Sequence, residues 1–434
     1  MKLDYGKEGL EIELDPDWNL TVFQPSEQKP YNNPIGKIRE SINKPIDSLT
    51  LKEIIKNKKN LEKVCIVASD ATRPVPSHLI LEALVTELND CGIKDNKILI
   101  LIATGLHRTS REDELERILG NNLIKRIKTI DHIATDENSM IDIGKTIDNH
   151  PISINKLYYE ADLKILTGYV EPHFFFGFSG GRKSIIPGIA GAETLQNNHS
   201  AENIASPYAR FGIFKENPLH KNSIEISRKV GVDFIVNVCI NEHHEIVQVA
   251  SGNFEKTHEK LVNYQLKHIF REIKDPFDIV ICGNGGYPLD LNLYQAVKSM
   301  AIGEMAVKKG GSIISVNECI DGIGIGQEKF KELIFSGISP QIIYEKILNK
   351  DIIVPDQWEI QILARVLMKA DIFIISTLNE NEIGNIGLKY AETVEDAIDI
   401  CLKRHGRDAS ILILPNGPQV FPLLGSKNNN IIKP

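Results

Sequence analysis

The chain has no C-x-x-C pair, no excess of basic residues and no apolar run of membrane-spanning length, and each absence closes off a class of function. Its six cysteines (Cys65, Cys91, Cys239, Cys282, Cys319 and Cys401) are scattered, a pattern that supports neither a zinc knuckle nor a disulfide framework. Several lie in apolar runs such as the one from Lys63 to Ala68, where a reduced, buried thiol is expected. Lysine and arginine total 50 against 58 aspartates and glutamates, so the formal net charge of -8 argues against a nucleic-acid partner, which requires a basic face. A local basic pocket for a small anion stays open. The opening Met-Lys-Leu-Asp-Tyr-Gly carries no apolar leader pattern, and with no span elsewhere the expectation is a cytoplasmic protein without membrane contact. There is no internal repeat and no low-complexity tract.

What is present is an ordinary globular composition, 42% hydrophobic and 25% charged, on 434 residues, a length beyond what one core usually supports. Two domains are therefore expected, with the site in the cleft between them. Short β-rich apolar runs alternate with helix-periodic segments, which predicts an α/β fold of mainly parallel sheets flanked by helices. Strands are predicted at 64–69, 98–103, 163–167, 234–240, 279–282, 312–316, 372–376 and 411–414, mostly continuous apolar runs suited to burial on both faces. Helical spacing over 76–90 ends at Cys91-Gly92, and Ser110-Arg-Glu-Asp113 predicts a capping box opening a helix that stops at Gly120. The amphipathic stretch from Glu255 to Lys274, followed by Asp275-Pro276, puts a boundary near residue 270. The predicted division is 1–270, then 275–410, with 411–434 as a last strand and tail that is a candidate to return to the first domain. The polar end, 427–434, is expected to fray.

Between Tyr169 and His199 the chain concentrates Gly177, Gly180, Gly181, Gly188 and Gly191. Glycine at that density implies unusual backbone dihedrals or a close approach of the backbone to another body. His173, Lys183 and His199 would project from this scaffold, while the run Phe174-Phe-Phe176 has no role that the sequence assigns.

Three further clusters follow predicted strands, where an α/β protein builds its site. After the strand at 64–69 comes Asp70-Ala-Thr-Arg73; exposed amides, Thr72 and Arg73 can hold a phosphate or carboxylate, with Asp70 orienting Arg73. The plainer alternative, equal in weight, has Asp70 and Thr72 capping the next helix and Arg73 in a surface ion pair. After the strand at 98–103, Thr104-Gly-Leu-His-Arg108 places His107 where a group of ordinary pKa near 6.5 can move a proton in either direction, although a lone histidine is more often structural. After the strand at 279–282, Tyr294-Gln-Ala-Val-Lys298 sets Gln295 and Lys298 on one helix face, able to grip an anionic, hydroxylated substrate; read plainly, Tyr294 and Lys298 are border residues of an amphipathic helix. Gly283-Asn-Gly-Gly286 and Gly322-Ile-Gly-Ile-Gly326 lack the full G-x-G-x-x-G spacing of a dinucleotide site. His132, His150, His243 and His244 read as loop or surface residues with no role.

Together the clusters resemble the nickel-pincer lactate racemase family over nearly the whole chain. The segments that carry the resemblance are Asp-Ala-Thr-Arg-Pro at 70–74, Thr-Gly-Leu-His-Arg at 104–108, Glu-Pro-His at 171–173 and Gly-Phe-Ser-Gly-Gly-Arg-Lys at 177–183. They continue in the family's order with Asn-His at 198–199, Tyr-Gln-Ala-Val-Lys at 294–298 and Gln-Trp-Glu at 357–359. The resemblance implies a racemase of 2-hydroxy acids, foremost lactate. Its cofactor would be nickel held in a pyridinium-3,5-bisthiocarboxylic acid mononucleotide, attached covalently through Lys183 and ligated by His199. Arg182, the cation next to Lys183, would favour the amine as an acyl acceptor.

By the same resemblance His107 and His173 form an acid and base pair, one on each face of the substrate. One takes the hydroxyl proton while the α-hydrogen leaves as hydride to the pincer, and return to the other face of the planar keto acid inverts the centre. Asp70, Ala71, Thr72 and Arg73 would lie by the cofactor, with Arg73, Tyr294, Gln295, Lys298 and Trp358 contacting the substrate. Proteins that make the cofactor and insert nickel would be partners; oligomeric state is not readable. Rival readings are a racemase or 2-epimerase of another 2-hydroxy acid, a non-catalytic small-anion binder and, weakened by its poor fingerprints, a nicotinamide dehydrogenase.

Overall fold

The computed structural model describes residues 1–425, so the tail expected to fray at 427–434 lies outside the described residues. In chain order the strands of its two large sheets are β1 Asn19–Val22, β2 Val64–Ser69, β3 Ile98–Ala103, β4 Lys128–Asp131, β5 Leu163–Tyr169, β6 Phe234–Ile240 and β7 Ile246–Gly252. They continue with β8 Phe277–Gly283, β9 Val307–Val316, β10 Asp371–Ile375, β11 Leu388–Tyr390 and β12 Ser410–Leu414. The chain forms two compact units, one from Glu27 to Lys267 and one from Met1–Ser26 together with the chain from His268 onward.

The unit spanning Glu27–Lys267 holds a six-stranded sheet in the order β7-β6-β5-β2-β3-β4, parallel except for the antiparallel β6–β7 pair at one edge. Both faces are covered, as the unbroken apolar runs require. Val64, Ile66 and Ala68 of β2 enter one core with Ile80, Leu84 and Ile100, while Cys65 and Val67 enter another with Leu166, Ile185 and Ile189. From β2 the chain builds outward on one side to β3 and β4 and on the other to β5 and β6, so the strand order reverses between β2 and β5. Loops at the carboxyl ends of such strands are where α/β sheets hold ligands.

The other unit holds a fully parallel sheet in the order β11-β10-β9-β8-β12-β1, with a further parallel pair formed by Phe270–Ile273 and Phe421–Leu424. Its helices include Leu293–Glu304 after β8, then Glu328–Ile334, Pro340–Leu348, Gln357–Leu367 and Val394–His405.

The division differs from the sequence expectation at both ends. The first 26 residues join the C-terminal half, because β1 pairs with β12 in register Asn19 to Ser410 and sends Leu20 and Val22 onto the core there. The last strand does not return to the earlier domain; β12 lies between β8 and β1. Two local expectations also change. Ser110 bonds Asp131 instead of capping the next helix, and Glu114 rather than Asp113 accepts from the first amides, taking the Arg111 N–H at 2.8 Å. His132, read as a surface residue, is 1% exposed, with its Nε2 2.9 Å from the Ala190 carbonyl. Five of the six cysteines are buried and all are free thiols.

Candidate active site

The glycine-dense segment folds around Phe176, which is wholly buried. Lys183 Nζ lies 4.5 Å from the centre of this ring and the Arg182 guanidinium 5.0 Å from it. The imidazole of His199 stands 5.7 Å away and that of His173 5.9 Å away. One aromatic ring thus gathers the two histidines and the lysine singled out in the sequence. Phe175 completes the wall, edge-on to His173 at 4.6 Å and to His199 at 5.3 Å. The phenylalanine run that the sequence left without a role is the partition these side chains share.

The glycines serve the protein's own packing. Gly177 has φ +78°, and a Cβ there would fall 2.0 Å from the Ile213 carbonyl oxygen; at Gly180, φ +74°, it would meet the Tyr169 carbonyl at 2.7 Å. The close approach expected of these residues is therefore to neighbouring backbone. Arg182, expected to act on Lys183, is instead turned into the core. It is wholly buried and donates to the carbonyls of Phe176 at 3.2 Å and Gly180 at 3.1 Å, with His258 Nε2 3.0 Å away. Burial pulls its pKa down to about 9. Asn237, in the middle of β6, holds the same loop by accepting the Gly181 N–H at 2.8 Å. Neither Asn237 nor His258 carries a sequence signal, since each is a lone polar residue in an apolar or amphipathic stretch.

His199 ends the helix Ala192–Asn198 and is 7% exposed. Burial, reinforced by the charge of Lys183, pushes its pKa down to about 3, so the ring is neutral at physiological pH. His173 is half-buried, and its Nδ1 accepts the Phe176 N–H at 3.3 Å, which leaves the proton of the neutral ring on Nε2.

At the carboxyl end of β3, His107 is half-exposed and its Nδ1 lies 2.7 Å from Oδ2 of Asp70, a buried carboxylate at the end of β2. Asp70 therefore orients His107 rather than Arg73. Thr72 donates to the other Asp70 oxygen at 2.8 Å, and the Ala71 carbonyl accepts from Arg117 at 2.6 Å. Neither Asp70 nor Thr72 caps the following helix, whose N-cap is Pro76. Arg73 is half-buried and near enough to Tyr169 for its charge to act on that hydroxyl. Arg108 is committed elsewhere, bidentate to Glu114 at 2.6 and 2.8 Å. The His107 loop is tied to the glycine-dense segment through the Gly105 N–H, which donates to Gly188 at 3.1 Å.

The remaining sequence candidates belong to the other unit. Asn292 caps the helix Leu293–Glu304, on whose first turns Tyr294 is buried and Lys298 donates to Gln295 Oε1 at 2.5 Å. Trp358 is half-buried in the first turn of Gln357–Leu367.

With this geometry in view, family models of the lactate racemase N-terminal domain and C-terminal domain match residues 5–212 and 273–421. The chain belongs to the lactate racemase family. It is 37% identical to the lactate racemase of Thermoanaerobacterium thermosaccharolyticum over 97% of this chain and 98% of that one. To the lactate racemase of Lactiplantibacillus plantarum it is 36% identical, over 96% and 97%. Among solved structures it is similar to the T. thermosaccharolyticum lactate racemase apoprotein, with a TM-score of 0.89 and 35% identity over 97% of this chain and 99% of that one. A Thermotoga maritima protein, at TM-score 0.63 and 21% identity over 90% and 98%, shares the fold. Racemases are isomerases, and the two matched ranges contain His107, His173, Lys183, His199 and Lys298. Among the described residues, no helix is long and apolar enough to cross a membrane.

Proposed function

We propose that the chain is a racemase interconverting L- and D-lactate, with His107 and His173 as acid and base and with a nickel-pincer nucleotide joined to Lys183 and ligated by His199. What supports the reading most is the gathering of His173, Lys183 and His199 about Phe176, in a chain that matches two lactate racemases over nearly its full length. The donor set fits the cofactor. A metal takes imidazole only in its neutral form, and His199 is held neutral. Among the described residues no group of three or more His, Cys, Asp or Glu side chains is placed to hold a metal, which agrees with a nickel at His199 whose remaining ligands are supplied by the nucleotide.

When bound, the nucleotide supplies an acceptor for the α-hydrogen, which is too weakly acidic for a histidine to remove as a proton. The side chains handle the hydroxyl proton. Asp70 takes the Nδ1 proton of His107 in a hydrogen bond, so the neutral ring offers a bare Nε2 as base, and the carboxylate then stabilises the imidazolium that forms. His173 presents Nε2–H. To give that proton away at neutral pH the ring must first be doubly protonated, which costs its contact with the Phe176 amide. Arg73, Gln295 and Lys298 are assigned to the substrate carboxylate and hydroxyl, Tyr294 and Trp358 to enclosing it, and the backbone at Asp70, Ala71 and Thr72 to the cofactor phosphate. Proteins that build the cofactor and insert nickel are the partners this requires.

The test is protein produced together with the cofactor-making enzymes. It is expected to invert L-lactate in preference to longer, dicarboxylic and sugar acids without added nicotinamide, and to carry a mass adduct on Lys183. Full activity in Lys183→Ala or His199→Ala would sink the cofactor assignment, and preference for another acid would move the substrate.

A further inference from the structure

His173 rides on a ladder too small to hold itself. Pro172–His173 pairs antiparallel with Gly177–Phe178, two residues on each side, and Pro172 has no N–H to give. The turn at 174–176 supplies the Phe176 N–H that His173 Nδ1 accepts at 3.3 Å, so the imidazole points where this ladder sets it. Something beyond the ladder must therefore fix its geometry.

Ser179 closes the open end of that ladder. Its amide donates to the Glu171 carbonyl at 2.8 Å, while its hydroxyl accepts the Glu171 N–H at 2.9 Å and donates to the Tyr169 carbonyl at 2.9 Å. The side chain is 8% exposed, so these bonds are shielded from water. The flanks are gripped as well. The Tyr169 hydroxyl donates to the Glu171 carboxylate, and from the helix Phe254–Ile269 Gln265 donates to the Val170 carbonyl at 2.6 Å, with His258 Nε2 2.7 Å from the Ser179 carbonyl. Beyond Ser179 the chain turns at Gly180, whose carbonyl accepts the Lys183 N–H at 3.1 Å. Ser179 is thus the point where the arm bearing His173 meets the arm bearing Lys183.

We propose that Ser179 is a positioning residue whose hydroxyl, by tying Glu171 to Tyr169 at the base of the ladder, aims His173 Nε2 for proton transfer. This rests on the assignment of His173 as an acid and base. The tie needs one small group that accepts and donates at once, which a hydroxyl does and a methyl group does not. A misplacement of about 1 Å at a reacting group costs on the order of a hundredfold in rate, so loss of the hydroxyl registers in turnover before it registers in folding.

The experiment compares wild type with Ser179→Ala. In cofactor-loaded protein the variant is expected to lower kcat for lactate at least about tenfold, with KM within about twofold of wild type and the mass adduct on Lys183 undiminished. A second readout needs neither cofactor nor turnover. The imidazole nitrogen chemical shifts of His173, identified by their loss in His173→Gln, should report the Nε2–H tautomer in wild type and a mixture of tautomers in Ser179→Ala. An unchanged kcat or an unchanged tautomer overturns the proposal. So does a variant that fails to fold, or one whose adduct falls in step with kcat, because Ser179 would then serve only the fold of the attachment loop. Wild type without lactate inversion would overturn the underlying function, and the imidazole shifts would still decide whether Ser179 orients His173.

Discussion

The two units differ in whether they bury histidine. Glu27–Lys267 encloses four histidines, His132, His199, His220 and His258, each driven towards its neutral form chiefly by burial. Among the described residues the other unit buries no histidine, while carboxyl groups are buried in both, Asp70, Glu87 and Glu114 in the first and Asp290, Glu304 and Glu359 in the second. The contrast extends to their buried arginines. Arg365 faces a carboxylate, whereas Arg182 has only backbone carbonyls and an imidazole. A side-chain partner can be removed by mutation and a carbonyl cannot, so the two arginines should differ in how replaceable they are.

The largest effect expected from that contrast is at Arg182. Arg182→Leu should cost roughly 3–5 kcal/mol, because it strands buried carbonyls, and no second substitution should restore the loss. Arg365→Leu should cost about as much alone, yet Arg365→Leu with Glu304→Leu should regain most of it. Denaturant unfolding of the four proteins decides the matter, and a stable Arg182→Leu variant would erase the distinction.

Next in size is Asp70→Asn, which tests whether the neutral imidazoles are held in a chosen tautomer. An amide cannot fix the Nδ1 proton of His107 as a carboxylate does, and turnover by loaded enzyme should fall about a hundredfold with little change in stability. Activity within a factor of two or so of wild type would mean that Asp70 only supports the loop.

Titration should then separate the units. Burial places His132 at about 4 and His199 at about 3, against 6.5 when exposed. Below about 6.5 the unfolded chain binds more protons than the folded one, and stability falls as pH drops towards those values, by about 1.4 kcal/mol per pH unit for each histidine. Glu359 has the opposite sign. Its folded pKa is raised, so the stability it contributes is present below the ordinary value and is lost as pH rises. Amide exchange, corrected for intrinsic rates, should show acid loosening within 27–267 and alkaline loosening in the other unit. Equal acid sensitivity in both would break the contrast. The smallest effect belongs to exposed pairs such as Arg126 with Asp95 at 2.9 Å, where Arg126→Ala should shift stability by no more than about 1 kcal/mol.

Much of the framework was legible in the sequence because strands buried on both faces must be unbroken apolar runs. Those predicted at 64–69, 98–103 and 234–240 are the observed residues. Strand β1 was not legible, since Asn-Leu-Thr-Val is short, mixed in polarity and paired with residues almost a chain length away. In the site, the histidines and Lys183 were visible as residue types at strand ends, but their partners were not. That Asp70 serves His107, that Arg182 points inward and that His132 is buried all depend on which way a side chain turns, and one residue's periodicity carries no such information. The phenylalanine run was opaque for the same reason, as a ring's role as a shared partition exists only once three other segments reach it.

The placement of β1 has a consequence for synthesis. Glu27–Lys267 is a continuous stretch that can complete its sheet while the rest of the chain is still being made. Asn19–Val22 emerges before any of it and must wait for Ser410–Leu414, on the far side of that stretch. Until then Asn19–Val22 has no strand of its own sheet to pair with, and closure of the second sheet is the event that joins segments made before and after the whole of Glu27–Lys267.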